Sequence, residues 1–518
     1  DAHEHFDYRA GLTRFRSDGH RDHSRARRDS FNAKVNVDID AATRLTVLAN
    51  ALHAPDALDP QGLTRAEYQR DPTQASPGAL AFGTRKSTRQ HQVGAIFSRD
   101  FDDAQLRVLG YGGRRAIEQV LSVPVGTQRN PLSGGGIIEL DAPYRGIDAR
   151  WTQRTTLAGR PLEWTLGLNH DRQRQSRRGF ENFAGDQLGV RGALRQQQDD
   201  AVQAFDQYLQ LRWEPAPAWS LMAGVRRSAV TFTSRDRYIT AGNPDDSGRV
   251  RHRAVTPVFG ANVQLRPGLH AYAAAGEAFE TPTFNELGYR NDGGSGLNFG
   301  LRPARTRSVE AGLKFGREDG VQAELAVFRA RTRNELAVAT SAGGRTTFQN
   351  AGRAQRDGVE LSMQLPLTAG LRLQLAATTL DARHVDGFLT CAGAPCTRPD
   401  VAVAAGTRIA GVPRATAAAA LHWGDERGWH ARLDGQYIGA VPVNTIDRER
   451  ADAYAVFGAS GGYGFAASSY DGRVFAGVTN LADRRYSGSV IVNEGNRRYY
   501  EPAPGRQVLV GVELRWRD

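Results

Sequence analysis

The chain has 518 residues, with 67 Lys+Arg against 56 Asp+Glu for a net charge of +11, and 40% of its residues are hydrophobic. No stretch reaches the roughly 18 consecutive apolar residues of a membrane-spanning helix, which excludes a helical membrane protein. With 57 Gly, only 22 Pro and no low-complexity repeat, the composition argues against a collagen or a disordered chain.

Period-two alternation, the strand signature, runs through nearly the whole sequence. Phe6, Tyr8, Ala10, Leu12 and Phe15 open it. Val35, Val37 and Ile39 alternate with Asn36, Asp38 and Asp40, and Leu45, Val47 and Ala49 follow. Leu162, Trp164, Leu166 and Leu168 form a further run, then Phe205, Tyr208, Leu209, Leu211 and Trp213. Leu325, Val327 and Phe328 lie in another, and Leu371, Leu373 and Leu375 alternate with Arg372, Gln374 and Ala376. Val508, Val510, Val512, Leu514 and Trp516 close the chain. About 20 such segments are present, each about 10 residues or longer, the length a tilted strand needs to cross a bilayer.

Connections alternate between short and long. Short ones include Asp40-Ala41-Ala42, Phe101-Asp102-Asp103, Pro215-Ala216-Pro217, Arg266-Pro267-Gly268, Glu318-Asp319-Gly320 and Thr368-Ala369-Gly370. Long ones cover approximately 53–84, 122–143, 177–200, 237–252, 281–305, 384–411 and 486–496. A transmembrane barrel has this asymmetry, because one rim faces the periplasm and the other the outside. Its lumen also accommodates 24% charged residues, since only the lipid face must be apolar. A secreted β-solenoid or sandwich is the alternative, and it lacks support because the segments show no fixed repeat.

The positive charge is almost all arginine, with lysine only at Lys34, Lys86 and Lys314. Such a charge suits nucleic acid, an anionic membrane surface or an acidic ligand. Arginine scattered along the chain, rather than clustered on one face, argues against nucleic acid. Cys391 and Cys396 share a Gly/Pro-rich loop. Two reduced thiols or a disulfide closing a short loop are both open there, and an oxidising compartment favours the disulfide. His3, His5, His20 and His23 could bind a metal but read better as ordinary surface residues. The acidic pairs Asp199-Asp200 and Asp245-Asp246 read as solvated loops rather than calcium sites. No nucleophile elbow, zinc-protease helix or P-loop is present, and no catalytic set, metal site or cofactor is expected.

Three loops mix arginine, aromatics and amides: RRGFENF (Arg177 to Phe183), NELGYRNDGGSGLNFG (Asn285 to Gly300) and NEGNRRYYEPAPGR (Asn493 to Arg506). Aromatic faces stack, guanidinium forks grip carboxylates, and pockets combine apolar walls with a few polar anchors.

Ala273 to Phe315 and Gly477 to Trp516 resemble core motifs of TonB-dependent outer-membrane receptors. RRGFENFAGDQLGVRGALR, YITAGNPDDSGR, FQNAGRAQRDGVEL and the paired loop cysteines are similar to the branch that transports pyrroloquinoline quinone. The resemblance covers essentially the whole chain. It implies an all-β, large antiparallel transmembrane β-barrel of 22 strands with long extracellular loops and short periplasmic turns. About 20 of those strands are expected here, with residues 1–518 as one barrel domain. The N-terminal plug, the TonB box and the first one or two strands are expected to be missing from it. The implied partners are a small anionic ligand (pyrroloquinoline quinone, or a ferric siderophore), the TonB-ExbB-ExbD complex through the missing N-terminal region, and lipopolysaccharide of the outer membrane.

The residues expected to meet the ligand are Arg178, Phe180, Asn182, Phe183, Tyr289 and Arg290. Asp245, Asp246, Arg249 and the Cys391–Cys396 loop follow. The competing readings are a ferric-siderophore or haem receptor, a passive porin and an outer-membrane barrel enzyme, the last without a visible catalytic set.

Overall fold

A peptide backbone in lipid has no water to bond to, so every strand that crosses needs laddered neighbours. The computed structural model describes residues 2–3, 5–317, 320–342, 345–391, 399–425 and 427–516. Its main sheet has 21 strands, 20 of them long. The first are β1 (Phe6–Ser17), β2 (Ala26–Asp40), β3 (Thr43–Ala54), β4 (Arg85–Asp100) and β5 (Ala104–Val120). Then come β6 (Ile137–Leu157), β7 (Arg160–Phe180), β8 (Leu194–Ala216), β9 (Trp219–Asp236) and β10 (Gly248–Arg266). They are followed by β11 (Leu269–Glu280), β12 (Ala304–Gly316), β13 (Gln322–Arg333), β14 (Ala354–Thr368) and β15 (Leu371–His384). The last are β16 (Ala415–Trp423), β17 (Gly428–Ile438), β18 (Tyr454–Ala466), β19 (Tyr470–Thr479) and β20 (Gln507–Trp516).

Each long strand pairs antiparallel with the next in chain order. One rim carries only tight turns. Gly268 and Gly370, both at φ 78°, supply the left-handed residue that two of these turns require. The turn expected at 215–217 closes instead around residues 217–218, because β8 runs on to Ala216. Residues 318 and 319 of another expected turn lie outside the described residues. The opposite rim carries all the long connections. It also carries the short helices α1 (Arg65–Arg70), α2 (Pro77–Phe82), α3 (Val125–Gln128) and α4 (Phe284–Leu287). Three further long connections, 18–25, 334–353 and 439–453, share that rim.

The outer wall is banded. On β12, Leu313 and Val309 face outward, and on β13 so do Leu325 and Val327, all exposed. On β7 the outward apolar residues end at Leu168, and the strand continues to Phe180. The strands β6, β7 and β8 are 21, 21 and 23 residues long, about twice what a crossing needs. Their outer halves therefore stand above the lipid.

β19 ladders one flank of β20, and β2 ladders one flank of β1, while Ala2–His3 covers only the first residues of the other flank of β1. No pairing joins β1 to β20 among the described residues, so the expected closed ring has a seam there. The sheet nevertheless curls until loops from its two ends meet. His20 Nε2 lies 2.9 Å from the carbonyl oxygen of Pro502. The Leu63 and Tyr500 backbones exchange hydrogen bonds of 2.8 and 3.1 Å. Arg498 donates two bonds, of 2.6 and 2.7 Å, to the Glu67 carboxylate. Beneath them Val443, Ala451, Tyr499 and Tyr500 form a buried cluster with Tyr68 against it. Tyr500 Oη donates to Glu449 at 2.8 Å.

Burial alone raises the pKa of Glu67. Hydrogen bonds from the Thr64 backbone and from Arg498 outweigh it and hold the carboxyl below its ordinary value of 4.5. A carboxyl depressed on folding stabilises the folded state above its unfolded pKa and loses that contribution as pH falls through the folded one. We predict that protease resistance of loop 55–84 is steady at neutral pH and declines only below about pH 4.5. Glu67→Gln should expose the loop at pH 7; unchanged cleavage would show that this pair does not hold it. On the wall, Leu313→Arg should cost about 2–4 kcal/mol in reversible refolding into lipid, whereas Ser308→Arg, facing the lumen, should cost little.

A cationic chamber under the outer loops

Inside the outer rim lies a cavity of ≈ 960 Å³. The wall strands supply Lys86 on β4, Arg115 on β5 and Arg177 on β7. Two loops lower residues onto it. The first is 281–303, where Thr283 caps α4. The Thr283 side chain accepts from the Glu286 backbone at 3.3 Å, while the Glu286 carboxylate accepts from the Thr283 backbone at 2.7 Å. This reciprocal cap is a local sequence signature, T-x-x-E, and it sets the direction in which Phe284 and Tyr289 enter the cavity. Leu287, Leu297 and Leu301 pack on Phe232 of β9 and pin the loop. The second is the hairpin of Leu336–Ala342 with Arg345–Asn350, which contributes Thr346 and Phe348.

Tyr289 sits between these elements. The Arg177 guanidinium is 4.9 Å from its ring centre and that of Arg345 is 5.1 Å away. Arg177 donates to the Gly288 carbonyl at 3.5 Å, and Arg345 to that of Gly135. The Nε atoms of both arginines are buried without a hydrogen-bond partner among the described residues. Burial pushes the pKa of Arg345 down, against the pull of Tyr289, and the nearby Arg177 adds to the fall. Among the described residues that line the cavity there is no carboxylate. Asp200, on the same inward row of β8 as the lining residues Val202 and Ala204, is buried beside Gln175 and accepts from Gln198 at 2.9 Å and from Gln175 at 3.4 Å. Cationic donors left partly unsatisfied by the protein suit an anion, because a buried unpaired donor is costly until something accepts from it.

The nominated loop residues separate. Tyr289 lines the chamber. Arg178 does not: alternation along β7 turns it to the outer wall, where it ion-pairs with Glu139 at 2.9 Å. Phe180 lies 4.6 Å below the Arg191 guanidinium. Asn182 is fully buried, donates to the Leu121 carbonyl and accepts from Gln128, so it holds loops together. Phe183 is buried with Arg129 6.0 Å from its ring centre. Arg290 grips Asp292 at 2.6 Å instead of facing the cavity. Asp245 accepts from the Ser247 backbone at 2.9 Å, and Asp246 accepts from Ser295. Arg249 is exposed on the outer face of β10. Cys391 follows the strand Phe388–Thr390, while Cys396 lies outside the described residues. His20 and His23 bond the carbonyls of Pro502 and Thr84.

Arg177, Lys86, Arg115 and Arg345 were not nominated from sequence. For Arg177 a signal existed. Leu162, Trp164, Leu166 and Leu168 fix even numbers on β7 as outward, and carrying that parity to 177 turns its side chain inward. Gly179, next inward, lets the adjacent loop approach, since a Cβ there would lie 2.1 Å from the Gly134 carbonyl. For Lys86, Arg115 and Arg345 no local pattern points to the chamber.

Comparison with known proteins agrees with this architecture. The family described as TonB dependent receptor-like, beta-barrel, matches residues 9–481. The unliganded ferric citrate transporter FecA superposes with a TM-score of 0.80 at 16% identity, over 99% of this chain and 74% of that one. The siderophore receptor PiuA from Acinetobacter baumannii gives 0.79 at 14%, over 99% and 78%. The ferric yersiniabactin uptake receptor FyuA from Yersinia pestis gives 0.75 at 17%, over 99% and 75%. At these identities the likeness establishes the fold alone. With the family matched over most of its length, the chain belongs to the TonB-dependent receptor β-barrels, transporters and receptors of the bacterial outer membrane.

Proposed function

We propose that this barrel captures an anionic complex at the cell surface for import, with a ferric complex of an acidic, siderophore-type chelator as its ligand. The observation that carries the reading is the pair Arg177 and Arg345 against Tyr289, with unpaired Nε donors and no lining carboxylate among the described residues. Guanidinium forks bind carboxylates in bidentate fashion. The volume of ≈ 960 Å³ sits at the top of the roughly 300–1,000 Å³ range of small-molecule sites, which favours a bulky complex. The ferric citrate and siderophore receptors of the same fold are consistent with such cargo.

Pyrroloquinoline quinone, a flat tricarboxylate, is the second reading, supported by the same cationic lining. Two guanidiniums already engage the Tyr289 ring, so stacking a planar quinone on it requires displacing them. In this reading import is driven by the TonB-ExbB-ExbD complex, while lipopolysaccharide surrounds the wall.

Calorimetric titration of the intact receptor in detergent tests the choice. Ferric citrate should bind saturably, and a neutral ferric hydroxamate should bind at least about tenfold more weakly, a difference of about 1.4 kcal/mol. Arg177→Ala and Arg115→Gln should each weaken ferric citrate by about tenfold or more, while Arg178→Ala leaves it near the parent value. Binding of the quinone with no heat from ferric complexes would replace the ligand and keep the receptor. Equal affinity of parent and Arg177→Ala would remove the chamber as the site.

A further inference from the structure

The lumen of a membrane barrel is polar. Two strands depart from that rule at the level of the chamber. From the long-loop rim, the inward row of β8 reads Gln198, Asp200, Val202, Ala204, Asp206 and Tyr208. The inward row of β9 reads Ser234, Phe232, Val230, Ser228 and Arg226. The register sets Val202 directly opposite Phe232 and Ala204 directly opposite Val230. The pairs on either side are polar, Asp200 opposite Ser234 and Asp206 opposite Ser228. An apolar patch therefore interrupts two polar rows, and all four of its residues line the cavity.

The patch divides the chamber. Every cation and every amide that the strands give to the lining lies on β4 to β7, whereas β8 and β9 give only Val202, Ala204, Val230 and Phe232. The loops keep the same division. The hairpin that carries Arg345 to Tyr289 brings Phe348, three residues on, to the apolar side, where it packs with Phe284 against the Phe232 cluster. Loop packing uses up Phe232, which is 3% exposed beside Leu287, Leu297 and Leu301 and meets the Phe284 ring edge-on at 5.5 Å. Val202, Ala204 and Val230 are not used up in this way; they stay half-buried and open onto the cavity. Apolar surface left facing water is unfavourable in proportion to its area, so this side of the chamber favours an occupant that covers it.

We propose that the cargo is amphiphilic: an acyl arm of the anionic chelate lies against Val202, Ala204 and Val230, while its carboxylates meet Arg177 and Arg345. This rests on the chamber being the site of an anionic ferric complex, and it adds which class of chelator fits. An aliphatic arm suits the patch better than an aryl one. The Phe232 ring is already covered, and what remains open is the methyl groups of two valines and an alanine, whose contacts are non-directional. A fully polar chelate leaves these residues wet, so they discriminate between acylated and plain heads of the same charge, while the guanidiniums anchor both.

Calorimetric titration of the intact receptor in detergent tests this with two probes. These are the ferric complexes of one citrate–hydroxamate chelator carrying either an N-acetyl or an N-hexanoyl group, which share head and charge and differ only in chain length. Each methylene fully removed from water is worth about fourfold in affinity, so the hexanoyl form should bind at least about tenfold more tightly. V202T/V230T, which puts hydroxyls in place of methyls, should bring that ratio close to one. Ala204→Leu fills the patch instead of wetting it and should do the same, so the result does not hang on the folding of one variant. Partition of the chain into detergent is common to all the proteins and cancels when their ratios are compared. Arg177→Ala should weaken both probes and keep the ratio. A ratio near one in the parent, with the acetyl form bound, would overturn the acyl arm and leave the anion chamber standing. So would a tenfold ratio that persists in either patch variant. Failure of both forms to bind would remove the chamber as an anion site, and the acyl arm with it.

Discussion

Lipid offers the peptide backbone no partner but itself, and the rest of this molecule follows from that constraint. A continuous antiparallel ladder satisfies the N–H and C=O groups strand by strand. A ladder also divides every strand into two rows of side chains, one inward and one outward. Each residue of the wall therefore has its environment set by the parity of its number within the strand. Leu313 meets lipid and Lys314 beside it meets Glu324 at 3.0 Å in the lumen, although they are adjacent in the chain.

Parity also separates the two arginine populations. Arg177 enters the chamber, and Arg178 leaves it for Glu139. Among the described residues that line the chamber, the inward arginines face no carboxylate. The outward ones on β10, β12 and β13 are exposed and sit just above an apolar band. A net charge of +11 is thus divided between an inward and an outward population.

The loops complete the chamber by ordinary soluble-protein means. Above the bilayer, water is available, so short helices, side-chain caps and small apolar clusters are affordable. Thr283 caps α4, three leucines pin the loop against Phe232, and a Glu67–Arg498 pair ties together loops that arise from opposite ends of the sheet. These contacts bring Tyr289 and Arg345 onto residues of the wall that lie more than a hundred positions away in the chain.

The sequence by itself determined the all-β class, the number of long strands, the two unlike rims and the apolar face of each strand. All of these are local: a period of two and the length of a connection can be read from neighbouring residues. It determined the presence of Tyr289 in an arginine-rich loop set, but the composition of RRGFENF does not distinguish Arg178 from Arg177; only the strand parity carried upward from Leu168 turns Arg177 inward. Tertiary structure alone decided that Lys86, Arg115, Arg177 and Arg345 converge, since they come from three strands and a loop hairpin. It also decided that Asn182 and Phe183 are packing residues, because burial depends on which loops fold over them. The facing of Arg307 and Arg331 is likewise a matter of register, which is set by the turn between β12 and β13 and by the pairing of whole strands, and no stretch of sequence shorter than that hairpin contains it.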